Sequence, residues 1–236
     1  MRLRVPMRRA VLFAALFAFA LILFLPLRLA LGLIDSGLSA REASGTVWAG
    51  SLKEARFGPA TLGDLNARLA FPPLLLGRAR VELERPSAAP DRLAGAFGIA
   101  GNRRSVESVT GLIPVESRFG PLPIASFELT DLTVRFRDGA CDRAEGLVRA
   151  NLSGDVAGLS LPAGLSGAAR CDRGALLLPL ASGAGMEGMA LRIYGDGRYE
   201  ARLNARATDP AVVARLTGAG FTLGPGGYET VIRGKL

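Results

Sequence analysis

Tyr199-Glu200-Ala201-Arg202-Leu203-Asn204-Ala205-Arg206 runs in steps of two. Tyr199, Ala201, Leu203 and Ala205 are apolar or small, whereas Glu200, Arg202, Asn204 and Arg206 are charged or polar. A period of two places one set of side chains on each face of a β-strand, so one face is buried and the other is wet. The same alternation appears upstream. Leu65, Ala67, Leu69 and Phe71 alternate with Asp64, Asn66 and Arg68, and Ala79, Val81 and Leu83 alternate with Arg80, Glu82 and Glu84. Leu132, Val134 and Phe136 do so with Thr133, Arg135 and Arg137.

Turn chemistry separates these runs. Gly195-Asp196-Gly197 is expected to close a hairpin between strands around Leu191–Tyr194 and Arg198–Arg206. Gly224-Pro225-Gly226-Gly227 is expected to do the same between Phe221–Leu223 and Tyr228–Gly234. One helix stands out at Asp209–Thr217, with Thr208 or Asp209 as cap, Pro210 in the first turn and Gly218 as stop. Pro86–Thr110 is irregular and reads as a long loop or a short helix around Asp91–Phe97. The expected fold is mainly β, an antiparallel, twisted or curled sheet with one short C-terminal helix. Parallel architecture is disfavoured because alternating long helices are missing. No composition shift divides residues 37–236.

The amino-terminal segment differs. Ala10–Leu27 contains 18 residues without a charge, enough for a helix of roughly 27 Å, close to a bilayer core. Arg2, Arg4, Arg8 and Arg9 precede it, Arg28 follows, and the first carboxylate is Asp35. By the positive-inside rule the amino terminus stays in the cytoplasm and the rest is exported. Residues 1–36 are therefore read as a basic tip and transmembrane anchor, and residues 37–236 as a periplasmic β-rich domain in a single-pass inner-membrane protein. A cleaved signal peptide, with its site around Ala30-Leu31-Gly32, is the alternative, although its apolar core would be unusually long.

This distribution changes the meaning of the net charge. The whole chain carries +8, but removing the five arginines around the apolar segment leaves 24 basic against 21 acidic residues, a net +3. Nucleic acid is not an expected partner, since no basic and aromatic stripe accompanies the charge. The chain has no histidine, which removes Ser-His-Asp and Cys-His catalysis, and two cysteines are too few for a zinc cage. Ser51 and Lys53 share a strand face, but such a pair is common by chance, and Glu82 and Glu84 read as the wet face of a strand. Nucleotide-binding and calcium-loop motifs are absent from the sequence. No catalytic, cofactor-binding or metal-binding residue is assigned.

Cys141 and Cys171 are the only cysteines, and export places them where disulfides persist. A structural bridge is the expected state, with two free thiols as the alternative and redox chemistry disfavoured because C-x-x-C spacing is missing. Cys141-Asp142-Arg143 and Cys171-Asp172-Arg173 share three residues, thin support for an internal repeat. Trp48, the single tryptophan, lies within Gly45-Thr46-Val47-Trp48-Ala49-Gly50, read as a tight strand near the membrane-proximal entry of the domain. It is either a core anchor or an interfacial, partner-facing ring.

An N-terminal apolar span, then Gly45-Thr46-Val47-Trp48-Ala49-Gly50-Ser51, then Phe71-Pro72-Pro73-Leu74-Leu75-Leu76-Gly77 resembles the type II secretion system protein N family. The cysteine pair in β-rich sequence and the ending Leu216, Gly220-Phe221, Gly227-Tyr228-Glu229 and Gly234-Lys235-Leu236 carry the resemblance further. It implies a non-catalytic, bitopic accessory of the secretion machine, with other secretion-system subunits as partners. Tyr228–Gly234 is a candidate edge strand for strand pairing, and Trp48 and Tyr228 are the candidate interaction residues. The alternative is a membrane-anchored β-groove that binds or transfers lipid.

Overall fold

The structure, a computed structural model, describes residues 7–33, 38–57, 60–86, 92–115, 124–152, 155–156, 159–160 and 164–235. The chain starts with helices α1 (Met7–Leu23) and α2 (Leu27–Leu33). Strands β1 (Leu38–Ser39), β2 (Glu42–Thr46), β3 (Ala49–Phe57) and β4 (Ala60–Leu69) follow. A single helical turn, α3 (Phe71–Leu74), leads into β5 (Ala79–Glu84), β6 (Ala94–Ala100), β7 (Arg103–Pro114), β8 (Ile124–Arg137) and β9 (Ala140–Leu152). The pair β10 (Asp155–Val156) and β11 (Leu159–Ser160) stands apart. Then come β12 (Gly164–Ala168), β13 (Arg170–Asp172), β14 (Ala175–Ala181), β15 (Glu187–Ile193) and β16 (Arg198–Ala205). Helix α4 (Pro210–Gly218), β17 (Thr222–Gly224) and β18 (Gly227–Lys235) finish the chain.

Among the described residues, 16 strands form one sheet in the order β1-β3-β4-β5-β6-β7-β8-β9-β12-β14-β15-β16-β18-β17, with β2 beside β3 and β13 beside β14. Every pairing is antiparallel, as expected for strands joined by short turns. All but the last residue of the opening octapeptide lies in β16, with Tyr199 opposite Ile193 on one side and Gly234 on the other. Tyr199, Ala201 and Ala205 are buried and Arg202 is exposed, so alternation and burial agree. Both glycine-rich turns close the hairpins expected of them, β15–β16 and β17–β18. Helix α4 also forms where expected, and Asp209 caps it by accepting from the backbone N–H of Ala211 at 2.8 Å.

Two expectations are corrected. The part of Pro86–Thr110 that is described contains no helix: it is β6, the Gly101-Asn102 turn and the first part of β7. Gly95, Ala96 and Gly98 mask the alternation, because strand positions filled by glycine and alanine carry no hydropathy contrast. Asp91, the start of the expected helix, lies outside the described residues. The expected span Ala10–Leu27 is not one helix either. The chain breaks at Phe24–Pro26, where proline supplies no N–H, leaving a 17-residue α1 and a seven-residue α2. No helix among the described residues is long and apolar enough to cross a membrane.

A single sheet must bury its apolar face against something, and this one curls upon itself. Ala60, at the start of β4, bridges Val115 just after β7, although β5 and β6 lie between them in the sheet. Further along, a Cβ on Gly195 in the β15–β16 turn would run into the backbone of Gly139 in the β8–β9 turn. The inward rows of β3 to β5 form one core with Leu52, Leu65 and Leu93. Those of β8 to β16 form another, with Val148, Leu180, Met189 and Leu191 at most 2% exposed. Alanines and glycines between these large side chains let the strands approach closely.

Antiparallel succession sorts the connections onto two rims. One rim carries the residue pair Val47-Trp48, the α3 loop and the turns at Gly101-Asn102, Asp138-Gly139, Arg173-Gly174 and Gly195-Gly197. The α1–α2 break docks on this rim.

Candidate membrane and interaction surfaces

The side chains of α1 set the character of the amino-terminal surface. Val11, Leu12, Phe13, Leu16, Phe17, Leu21, Leu23 and Phe24 are each at least 46% exposed, so no described element covers this helix. Arg8, in its first turn, is exposed. The backbone of Arg9 lies in α1, while Arg2 and Arg4 lie outside the described residues.

The end of α1 is fixed to the sheet through backbone contacts. Val47 N–H donates to the carbonyl of Leu25 at 3.0 Å, and Pro26 bridges Thr46. Leu27 is buried in the first core and lies over Gly50, where an added Cβ would stand 2.5 Å from Leu27 Cδ2. Glycine is favoured at residue 50 because a Cβ would also meet the Ser44 and Thr46 carbonyl oxygens at 2.9 Å. Val47 and Trp48 are the two residues linking β2 to β3, with Thr46 opposite Ala49. The glycine-bracketed segment is therefore a hairpin with Trp48 at its tip, not a continuous strand. Trp48 is half-buried, its ring centroid 6.0 Å from that of Phe71 at a tilted angle.

Phe71–Gly77, part of the motif order along the chain, also forms an exposed apolar loop. Phe71 opens α3, with Pro72 and Pro73 in the first turn, and the expected continuation of β4 through Phe71 ends at Leu69. Phe71, Leu75 and Leu76 are 57%, 74% and 74% exposed. A run of leucines after two prolines is the available signal, since prolines at a helix start preclude a strand there.

The candidate Ser51 and Lys53 pair is not assembled. Ser51 shares a hydrogen bond with Ser44 at 2.8 Å, and Lys53 pairs with Glu42 at 3.0 Å. Glu82 and Glu84 lie on a wet strand face opposite Arg68 and Asn66, where they help line an open polar groove over β2 to β5. Among the described residues, no group of three or more acidic or cysteine side chains is placed to hold a metal ion.

Cys141 and Cys171 form a disulfide, with Cα atoms 5.5 Å apart and a sequence separation of 30. It ties the start of β9 to β13, beside a hydrogen bond from Cys141 N–H to Gly174 O at 2.8 Å. The repeated Cys-Asp-Arg segments have different settings. The first lies inside β9, whereas the second ends β13 and enters the Arg173-Gly174 turn.

At the other end of the sheet, Tyr228 stands between Ala205 and Leu223 and packs on the cluster of Ala205, Leu216 and Phe221. β18 pairs with β16 from Tyr228 to Lys235, but β17 covers its other side only from Gly227 to Glu229. From Thr230 to Lys235 that outer backbone edge has no strand partner among the described residues. The β15–β16 turn carries a distinct local charge arrangement. Arg198 N–H donates to Asp196 Oδ1 at 3.0 Å and holds the Asp196 carboxyl below the usual carboxylate range, assisted by the Arg198 guanidinium at 2.6 Å.

Comparison with known proteins agrees with the order of motifs along the chain. The family model for type II secretion system (T2SS), protein N, matches residues 36–231. Type II secretion system protein N of Vibrio cholerae serotype O1 (strain ATCC 39315 / El Tor Inaba N16961) is 28% identical over 173 residues, covering 67% of each chain. No solved structure matches. The family match covers nearly all of the β-sheet and follows the helix pair, so the chain belongs to the type II secretion system protein N family, a component of a bacterial secretion machine.

Proposed function

We propose that the chain is a non-catalytic accessory subunit of the type II secretion machinery, held in the inner membrane by the apolar segment that contains α1, with a periplasmic interaction domain. Residues 1–36 are then the basic tip and anchor, and residues 37–236 the working domain. The uncharged stretch Ala10–Leu27, most of it in α1, supplies the apolar surface an anchor needs, with Phe13, Phe17 and Phe24 uncovered. The acid-free arginine cluster before it supplies the orientation.

The observation that carries the interaction role is the uncovered backbone edge of β18 from Thr230 to Lys235. An unpaired edge presents alternating N–H and C=O groups to an incoming strand. Lys235, together with Arg233 (paired to Glu200 at 2.9 Å), limits indiscriminate pairing along it. Tyr228 anchors the strand on the α4 cluster, so its contribution to binding is to position the edge. The lipid-groove alternative calls for open apolar space along the inward rows. Leu180, Met189 and Leu191, at most 2% exposed, weigh toward a closed core.

Single cysteines at Val231 and Thr230, crosslinked in cells carrying the secretion machine, test this role. Secretion subunits should be trapped from both positions and not from Glu229, where β17 covers the edge. Equal capture from all three, or from none, counts against edge pairing.

A further inference from the structure

We propose that the α3 loop, Phe71–Gly77, together with Trp48, enters the headgroup region of the bilayer that holds α1 and gives the sheet a second point of membrane contact. This rests on the reading of α1 as the membrane anchor.

The loop is built to hold apolar side chains outward. Leu76 N–H and Arg78 N–H both donate to Pro73 O at 3.0 Å, and Gly77 N–H donates to Leu74 O at 2.9 Å. The backbone thus closes on itself, leaving Phe71, Leu75 and Leu76 uncovered within one seven-residue tip. Such a tip marks a contact surface rather than chance exposure.

Its position says what the surface meets. Leu69 N–H donates to Val47 O at 2.8 Å, and Val47 N–H donates to Leu25 O at 3.0 Å. The end of α1, the Trp48 hairpin and the strand entering α3 are therefore linked by consecutive backbone hydrogen bonds. A helix end at the bilayer surface brings the tip there too. Trp48, whose ring packs against Phe71, is of a residue type enriched at membrane–water interfaces.

The other turns on this rim provide the contrast. Asn102, Asp138, Arg173 and Asp196 occupy turns farther along the sheet, and all are polar. Among the described connections on this rim, only Val47-Trp48 and the α3 loop are apolar. Arg78, which follows the loop, and Arg103 and Arg104, at the start of β7 two strands along, are exposed and offer positive charge to anionic lipid headgroups.

The full chain reconstituted in phosphatidylethanolamine and phosphatidylglycerol vesicles, with lipids brominated near the headgroup end of the acyl chains, tests the contact. Trp48 is the single tryptophan and reports without modification. Leu76→Trp in a Trp48→Phe background reports from the loop tip. Both emissions should fall at least about twofold relative to unbrominated vesicles, as for aromatic rings in the interface. Leu75→Asp with Leu76→Asp should relieve the quenching of Trp48 while the protein still floats with vesicles and keeps its disulfide. Flotation with unquenched emission from residue 76 overturns the second contact and leaves the anchor standing. Failure to float overturns the anchor reading and the contact that rests on it. Unquenched emission, combined with crosslinking from residue 76 to a protein in cells, assigns the tip to a protein partner and also overturns the proposal.

Discussion

Asp196 illustrates how a single side chain shapes a turn here. Its carboxylate receives the Arg198 backbone N–H and guanidinium, which lowers its folded-state pKa, so the ionised form is favoured by folding. The resulting stabilisation is present above the unfolded-state pKa and is lost as pH falls through the lowered folded-state value. Asp196→Asn keeps an acceptor but removes the charge. We expect it to unfold at lower denaturant concentration than the parent at neutral pH, with the gap shrinking on acidification. A gap independent of pH in denaturant titrations would show that charge is not the cause. The turn was legible from Gly195-Asp196-Gly197; the double contact to Arg198 was not, because it depends on the backbone path after the turn.

At the scale of elements, strands and their connections carry most of the information. Where large apolar and charged residues alternate, as in β5 and β16, a period of two suffices to place the strand and its buried face. Where glycine and alanine fill the inward positions, as in β6, the pattern fades although the strand forms. The disulfide joins two such elements, β9 and β13, across the β12 connection. Replacing both cysteines with serine opens a closure of 30 residues, expected to cost roughly 3–4 kcal/mol in the chain-entropy model. Denaturant midpoints of oxidised parent and double variant measure it, and an unchanged midpoint would remove the bridge as a source of stability. The cysteines were readable as a pair, but their role in pinning β13 follows from the pairing of β13 with β14.

At the scale of the whole molecule, the curl matters most. The β8–β9 and β15–β16 turns meet so closely that Gly195 has no room for a Cβ against the Gly139 backbone. Gly195→Ala should therefore cost about 1–3 kcal/mol, the range for overpacking a tight contact. Gly183→Ala, where a Cβ meets open space, should change stability by less than about 0.5 kcal/mol. Equal effects of the two substitutions in denaturant unfolding would argue against this close approach.

By itself the sequence determined the class of structure and the place of its apolar segment. Strand alternation, glycine turns, the Pro210 helix and the charge-free segment are local properties, set by which side chains follow one another within a few residues. Tertiary structure alone decided the rest. It set Pro26 against Thr46, placed Leu27 over Gly50, and brought Phe71 against Trp48 on the hairpin that holds the end of α1. It also left Thr230–Lys235 as an edge by stopping β17 after three residues. Those outcomes depend on which strands become neighbours and how far the sheet curls. Residues more than twenty positions apart then share one surface, and no local period records that.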